Sequence, residues 1–237
     1  MLKSIGTTVY KNLANVVSIL GVLPIALLFL ENGYQYYLIP LIIYNNFMDD
    51  LDGILAGKLN IRSPFGANLD NVCDLVVHTV FVMIVGVQMW TETGGVWTGV
   101  CLVLSLVAAT SLVLRVVSRL MPDAVPGTGT ATNELMRHIL FALLLGKIFE
   151  ISPMPLLSVV FVLHSITMLV PYRMPWLLRS LTKSATAICL LNVLLVVAWL
   201  VPVTTLPIAA AFMLSYLYSF VWGGVKWVRE TRADVAS

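Results

Sequence analysis

Charge is scarce in this chain. Asp, Glu, Lys and Arg make up only 11% of its 237 residues, whereas an ordinary soluble domain carries about 25%. So few charges cannot cover the surface of a water-soluble fold of this size, which excludes a conventional soluble enzyme. Cysteine is scarce too. Cys73, Cys101 and Cys189 all lie in apolar stretches, their number is odd, and no CxxC occurs. That pattern argues against a disulfide framework or a thiolate metal site and leaves buried thiols. No internal repeat or separate soluble domain is visible, and no cleavable signal peptide is expected. The net charge of +2 gives no sign of a nucleic-acid partner.

Apolar sequence is abundant instead. The hydrophobic fraction is 59% and the mean hydropathy is +0.93. Lipid is then the expected solvent for most of the surface, and a chain in lipid must pair every backbone polar group internally, in helices or a closed barrel. The apolar runs are continuous rather than alternating, which selects helices. Eight candidate spans run approximately 13–30, 36–57, 66–90, 96–120, 134–150, 154–171, 184–201 and 206–227, each near the roughly 20 residues that cross a bilayer. Spans five and six are short, and a six-span chain with a re-entrant pair fits the same pattern. Residues 1–12 precede the spans. Leu2, Ile5, Val9 and Leu13 recur there at helical spacing, which predicts a helix lying on the membrane surface. The expected fold is an all-α, multi-pass membrane bundle forming one domain over 1–237. Pro64 and Pro207 fit first-turn helix positions.

Charge placement predicts orientation. With the N-terminus in the cytoplasm, only Lys147 of the 14 Lys and Arg residues falls near the outer side. Lys and Arg prefer cytoplasmic loops, so both termini are expected inside. Tyr34, Tyr36, Tyr37, Trp90, Trp97 and Trp199 gather at expected outer ends, and Trp176, Trp222 and Trp227 at inner ends, as interfacial belts do.

Against this apolar background the acids stand out. Asp49, Asp50, Asp52, Asp70 and Asp74 lie within 26 positions, flanked by apolar helix. A charge inside a span costs about 3 kcal/mol on insertion scales, so it points to function by default. Asp49 and Asp52 are three apart and Asp70 and Asp74 four apart, so each pair shares a helix face. The two helices are joined by a short link and are expected to be antiparallel. Both pairs then sit roughly 12 Å or less from the cytoplasmic edge. Lys58 and Arg62 are too few to balance five acids. Hard divalent cations with oxygen ligands, Mg²⁺ or Mn²⁺, fit best. Four carboxylates can hold two such ions about 3.5–4 Å apart, a geometry suited to phosphoryl transfer. Gly53, Ala56 and Gly66 leave a shallow surface beside them on which a flat group such as a nucleobase can lie, or against which another helix can pack.

This pattern resembles the signature of the CDP-alcohol phosphotransferase family, D-x-x-D-G-x-x-A-R-x8-G-x3-D-x3-D. Asp49, Asp52, Gly53, Ala56, Gly66, Asp70 and Asp74 match it at the required spacings. The exception is Gly57, where the family has Arg, and Lys58 follows as an alternative cation. Asn15-Val-Val-Ser18 with Pro24 resembles the family's P-N-x-x-T start of the first helix, with Ala14 in place of Pro. The resemblance covers roughly residues 12–90, with the catalytic helix pair at 36–90, and is diffuse beyond. It implies a six-helix core, here with two further helices, and a homodimer. It also implies transfer of a phosphatidyl group from a CDP-linked lipid to a hydroxyl acceptor, with release of CMP. Asp49, Asp52, Asp70 and Asp74 would bind two metal ions, Asp74 would also be the base, and Gly53, Ala56, Gly66, Asn15 and Lys58 would face the nucleotide.

Arg115, Arg119, Arg137 and Arg173 lie at expected inner ends of spans, where they can bind an acceptor phosphate or carboxylate or simply set topology. The loop Pro126-Gly127-Thr128-Gly129-Thr130 reads as a flexible connection or an anion nest. Asp50 breaks the paired spacing, as a supporting acid or a solvent-facing one, and His78 reads as a core histidine. Two rival functions remain at this stage. A UbiA-type intramembrane prenyltransferase also uses aspartates and Mg²⁺, but its motifs lie far apart in sequence. A cation transporter would place its carboxylates near the midplane.

The charge asymmetry makes a direct prediction. A cysteine introduced at position 60, in a chain whose native cysteines are replaced, is expected to react with impermeant thiol reagents only from the cytoplasmic side. Labelling from the outer side would overturn the topology and the sidedness of the acids together.

Overall fold

The computed structural model describes residues 10–93, 96–123, 125, 127–174 and 185–236. The surface helix expected over 1–12 lies almost wholly outside the described residues, as do Pro126, Trp176, Arg179 and Lys183. The described chain is helical. Helix α1 (Leu13–Val22) continues as a 3-10 segment (Leu23–Phe29). It is followed by α2 (Gly33–Lys58), α3 (Pro64–Thr93), α4 (Val96–Leu120), α5 (Thr132–Ile148), α6 (Met154–Thr167), α7 (Ala185–Leu200) and α8 (Pro202–Ala236).

Prolines and small residues shape these elements. Pro24 lacks the amide that would bond to the Leu20 carbonyl, so α1 tightens into its 3-10 segment there. The Tyr44 hydroxyl of α2 donates to that freed carbonyl at 3.0 Å. Pro40 lies inside α2. Pro207 also lies inside a helix, not in a first turn, because α8 begins at Pro202, four residues earlier than expected. Pro64 does occupy the first position of α3. Gly86 of α3 lets α4 approach closely: a Cβ there would meet Ser105 Oγ at 2.0 Å.

Helix α5 runs through the middle of the bundle, packed against α2, α3, α6 and α8. It is buried along nearly its whole length, with Leu135, Met136, Ile139 and Leu140 fully enclosed. Helix α3 packs along α4, and α1 along α2 and α3. Large apolar side chains such as Val103, Leu106 and Val117 of α4 and Leu214 and Val221 of α8 face outward. Asp52, His78, Arg115, Glu134 and Arg137 are buried instead. Apolar groups outside and ionisable groups inside is the arrangement a lipid solvent selects.

Among the described residues, three helical stretches are long and apolar enough to cross a membrane: Pro64–Met89, Val96–Leu120 and Pro202–Ala233. The other expected spans fall short for visible reasons. The 26-residue α2 carries Asp49, Asp50 and Asp52. Helix α5 has only 17 residues and includes Glu134, Arg137 and Lys147. Helices α1 with its 3-10 segment, α6 and Ile188–Leu200 are apolar but short.

The connection before α5 is tied down. Thr128 and Arg173 form an isolated antiparallel bridge. Gly129 N–H donates to Tyr172 O at 2.9 Å and Thr130 N–H to Thr167 O at 3.0 Å. Gly129 is required there, because its φ is +62° and a Cβ would meet Met168 O at 2.4 Å. These amides are consumed by the chain's own carbonyls, which corrects the expectation of either a flexible loop or an anion nest.

Candidate active site

Two helix ends place the acids. At the start of α3, Ser63 Oγ accepts the Gly66 N–H at 3.0 Å, an N-cap directly before Pro64. Asp70 and Asp74 follow in the next two turns. At the end of α2, the chain turns sharply through Asn60, whose φ is +53°. The short link therefore returns α3 beside α2, and the two aspartate faces meet.

Asp49, Asp70 and Asp74 each present a carboxylate oxygen within 4.8 Å of the others. Asp52 is buried, lines the same cavity and accepts a hydrogen bond from Ser18 of α1. Asn133 of α5 donates to Asp49, and Thr132 donates to Asp74 Oδ2 at 3.3 Å. Two like charges about 4 Å apart repel by about 4 kcal/mol at an effective dielectric constant of 20, so a fully ionised cluster needs a cation. The donor set fits one. It is all oxygen, and buried Asn133 Oδ1, next to the amide nitrogen that holds Asp49, has no protein partner. Hard divalent ions such as Mg²⁺ and Mn²⁺ take such ligands.

Asp50 has a different role. It accepts from Asn192 of α7 at 2.7 Å and lies 3.6 Å from Arg137 Nη2. Arg137 also donates from Nε to Asn46 Oδ1 at 3.0 Å and from Nη1 to Glu134 Oε1 at 2.7 Å. Its guanidinium is thus engaged on every side by α2 and α5. It acts as the buried counter-ion of Asp50 and Glu134 rather than as a free fork for a substrate anion.

The acids form one wall of a cavity of about 880 Å³. Gly53, Ala56, Gly57 and Lys58 of α2, then Asn60 and Arg62 of the link, continue that wall. Arg119, the polar start of α5, and Ile188 and Leu191 of α7 also line it. A Cβ at Gly53 would meet nothing within 4 Å, so open space lies over that residue. Gly66 and Asn15 are brought together, but against each other rather than in the cavity wall: a Cβ at Gly66 would meet Asn15 Oδ1 at 2.9 Å. Of the four arginines expected at an acceptor, Arg119 and Arg137 line the cavity. Arg115 is buried outside that lining, with Nε and Nη2 unpartnered, and Arg173 is exposed in the connection after α6. His78 is a core histidine, within 3.0 Å of Asn45 Oδ1.

Thr132, Asn133, Glu134 and Asn192 were not anticipated. Their one sequence signal is the run Thr-Asn-Glu heading an apolar helix, with Arg137 one turn on. Asn192 stands alone in an apolar stretch and gives no signal beyond its own polarity.

A carboxylate cluster that could hold a metal ion is thus set in a helical bundle with an apolar exterior and opens on a cavity lined by both polar and apolar residues. The chain belongs to the CDP-alcohol phosphatidyltransferase family, whose sequence model matches residues 11–228. No curated protein sequence matches the chain. The family match extends well past the 12–90 region that carries the motif, into α8, and sets aside the prenyltransferase and transporter readings. Members transfer the substituted phosphate of CDP-alcohols in lipid synthesis, so the chain is a membrane transferase.

The Asn133 contact carries a testable consequence. Groups that orient metal-binding carboxylates contribute about 10- to 100-fold to metal affinity. Asn133→Ala is therefore expected to raise the Mg²⁺ concentration for half-maximal activity by about 10-fold or more. Asn192→Ala, whose amide bonds Asp50 and the Ile188 carbonyl but none of Asp49, Asp70 and Asp74, is expected to leave that concentration unchanged. Equal shifts in both variants would remove Asn133 from the metal centre.

Proposed function

We propose that this protein transfers a phosphatidyl group from a CDP-linked lipid such as CDP-diacylglycerol to the hydroxyl of an acceptor alcohol, releasing CMP. The whole chain, 1–237, is one catalytic domain with its cavity open to the cytoplasm, and it works as a homodimer. Support comes above all from one observation: Asp49, Asp70 and Asp74 converge on one point of the cavity wall, with Asp52 lining the same cavity, at the spacing the family motif prescribes.

Asp49, Asp52, Asp70 and Asp74 would hold two divalent ions, which would supply positive charge to offset the donor's diphosphate and the charge that develops on it, the main source of catalysis in phosphoryl transfer. The chain's own groups do the rest. Asn133 and Ser18 fix the orientation of Asp49 and Asp52. Thr132 donates to Oδ2 of Asp74 and so orients the carboxylate that takes the acceptor's proton. The acceptor oxygen then bonds to the lipid-bearing phosphorus, the phosphoanhydride bond breaks, and CMP leaves with the bonding pair. Gly53 and Ala56 leave room for the nucleotide beside the acids, and Arg119 faces the same space as a site for an anionic acceptor.

The test is CMP release by purified protein from CDP-diacylglycerol with a panel of alcohols. Release is expected only with Mg²⁺ or Mn²⁺, and Asp49→Asn, Asp52→Asn and Asp70→Asn are each expected to lower it by orders of magnitude in folded protein. Near-normal activity in any two of them would reject the two-metal site. Asp74→Asn keeps an oxygen ligand but cannot accept a proton. It is expected to bind CDP-lipid almost normally and turn over poorly, the mark of a lost transition-state interaction. Full recovery of its rate at high Mg²⁺ would make Asp74 a ligand only and place the base elsewhere.

A further inference from the structure

Position 57 is the one place where the chain departs from the family signature, with Gly in place of Arg. The structure fills that place from elsewhere. Helix α2 ends in a six-residue closing turn: Ile61 N–H donates to Ala56 O at 3.1 Å and Asn60 N–H to Gly57 O at 3.4 Å, with Asn60 left-handed. That turn folds the chain back, so residue 62 returns over residue 57. A Cβ added to Gly57 would meet Arg62 Nη2 at 3.0 Å, Cζ at 3.7 Å and Nε at 3.8 Å. The guanidinium, with Nη2 nearest, therefore lies over the face that the missing side chain leaves bare. Both residues line the cavity that holds the acids.

Among the described residues Arg62 makes no hydrogen bond or ion pair with the protein. Arg137, by contrast, is consumed by Asp50, Glu134 and Asn46. A guanidinium with five donors and no protein acceptor, on the wall of a cavity, is suited to gripping a phosphate through two parallel bonds.

We propose that Arg62 is a phosphate-binding residue of the CDP-linked donor site and supplies from the α2–α3 link the guanidinium that the family signature places at position 57. Glycine at 57 is the partner of this arrangement, because a Cβ there would meet Arg62 Nη2 at 3.0 Å and press the head aside by a few tenths of an ångström. The assignment rests on the transferase function proposed above and adds to it a residue outside the signature. In this proposal Arg62, rather than the neighbouring Lys58 that lines the same cavity, is the substitute.

The experiment measures CMP binding by calorimetry with Mg²⁺ present, and the KM for CDP-diacylglycerol, on full-length protein. Hydrogen bonds to charged groups contribute about 1.5–3 kcal/mol, so Arg62→Ala is expected to weaken CMP and raise the donor KM by about 10- to 100-fold. Arg62→Lys is expected to recover only part of this, since an ammonium lacks the planar fork. Gly57→Ala is expected to shift both constants in the same direction as Arg62→Ala. The double variant Gly57→Arg with Arg62→Ala is expected to return towards wild type. Lys58→Ala is expected to have the smaller effect. Wild-type CMP affinity and donor KM in Arg62→Ala overturn the proposal, as does a defect that follows only the anionic-lipid content of the vesicles and leaves CMP binding intact. A wild-type chain that neither binds CMP nor releases it from the donor overturns the transferase function and this assignment with it. Normal wild-type turnover with an unaffected Arg62→Ala overturns the assignment alone.

Discussion

Repulsion among carboxylates inside an apolar bundle sets the terms for the rest of this fold. Asp49, Asp52, Asp70 and Asp74 come from two neighbouring helices and meet at one wall of a cavity, where water is limited and like charges are costly. Asp49, Asp52 and Asp74, and the neighbouring Asp50, are each met by a specific neutral group from another helix. Ser18 of α1 serves Asp52, Thr132 and Asn133 of α5 serve Asp74 and Asp49, and Asn192 of α7 serves Asp50. The bundle is thus held in register by polar contacts that converge on the acids, while apolar side chains face outward and fill the rest of the core.

Helix α5 is the element this arrangement depends on most. Its first turn is polar and reaches the acids, and its remainder is enclosed and apolar. Arg137 sits at the junction and ties Glu134, Asn46 and Asp50 together. Such a buried ion pair adds little net stability over an apolar core of the same shape, but loss of one partner strands a charge. Its value lies in fixing α5 against α2, and so in fixing Asn133 against Asp49. The bridge between Thr128 and Arg173 fixes the entry to α5 from the other side.

Much of this was legible in the sequence, and the parts that were not share a physical reason. The paired spacings of Asp49 with Asp52 and of Asp70 with Asp74 follow from helical periodicity, a local property, and the three carboxylates that meet come from those pairs. Helix α4 occupies the expected 96–120. Contacts between distant segments were not legible. Thr132 and Asn133 read as the end of a loop because they are polar, yet they belong to α5 and face the acids. Nothing in local sequence tells that Asn192 lies against Asp50, 142 positions away. The position of Arg62 over Gly57 depends on the left-handed Asn60, which a sequence pattern does not specify, so the adjacent Lys58 was the natural expectation. The number of spans shows the same limit: α2 and α5 are interrupted by charges whose inward direction only packing reveals.

The central claim is that these acids form a binding centre for divalent cations rather than a set of mutually tolerated charges. Titration of Mn²⁺ into detergent-purified protein without substrate, followed by the electron paramagnetic resonance signal of free Mn²⁺, tests it most directly. The account predicts that the wild-type chain removes the free-ion signal and that Asp70→Asn, folded to the same extent, does so far less. A wild-type chain that leaves the signal of free Mn²⁺ undiminished, or an Asp70→Asn variant that takes up as much as wild type, would contradict it.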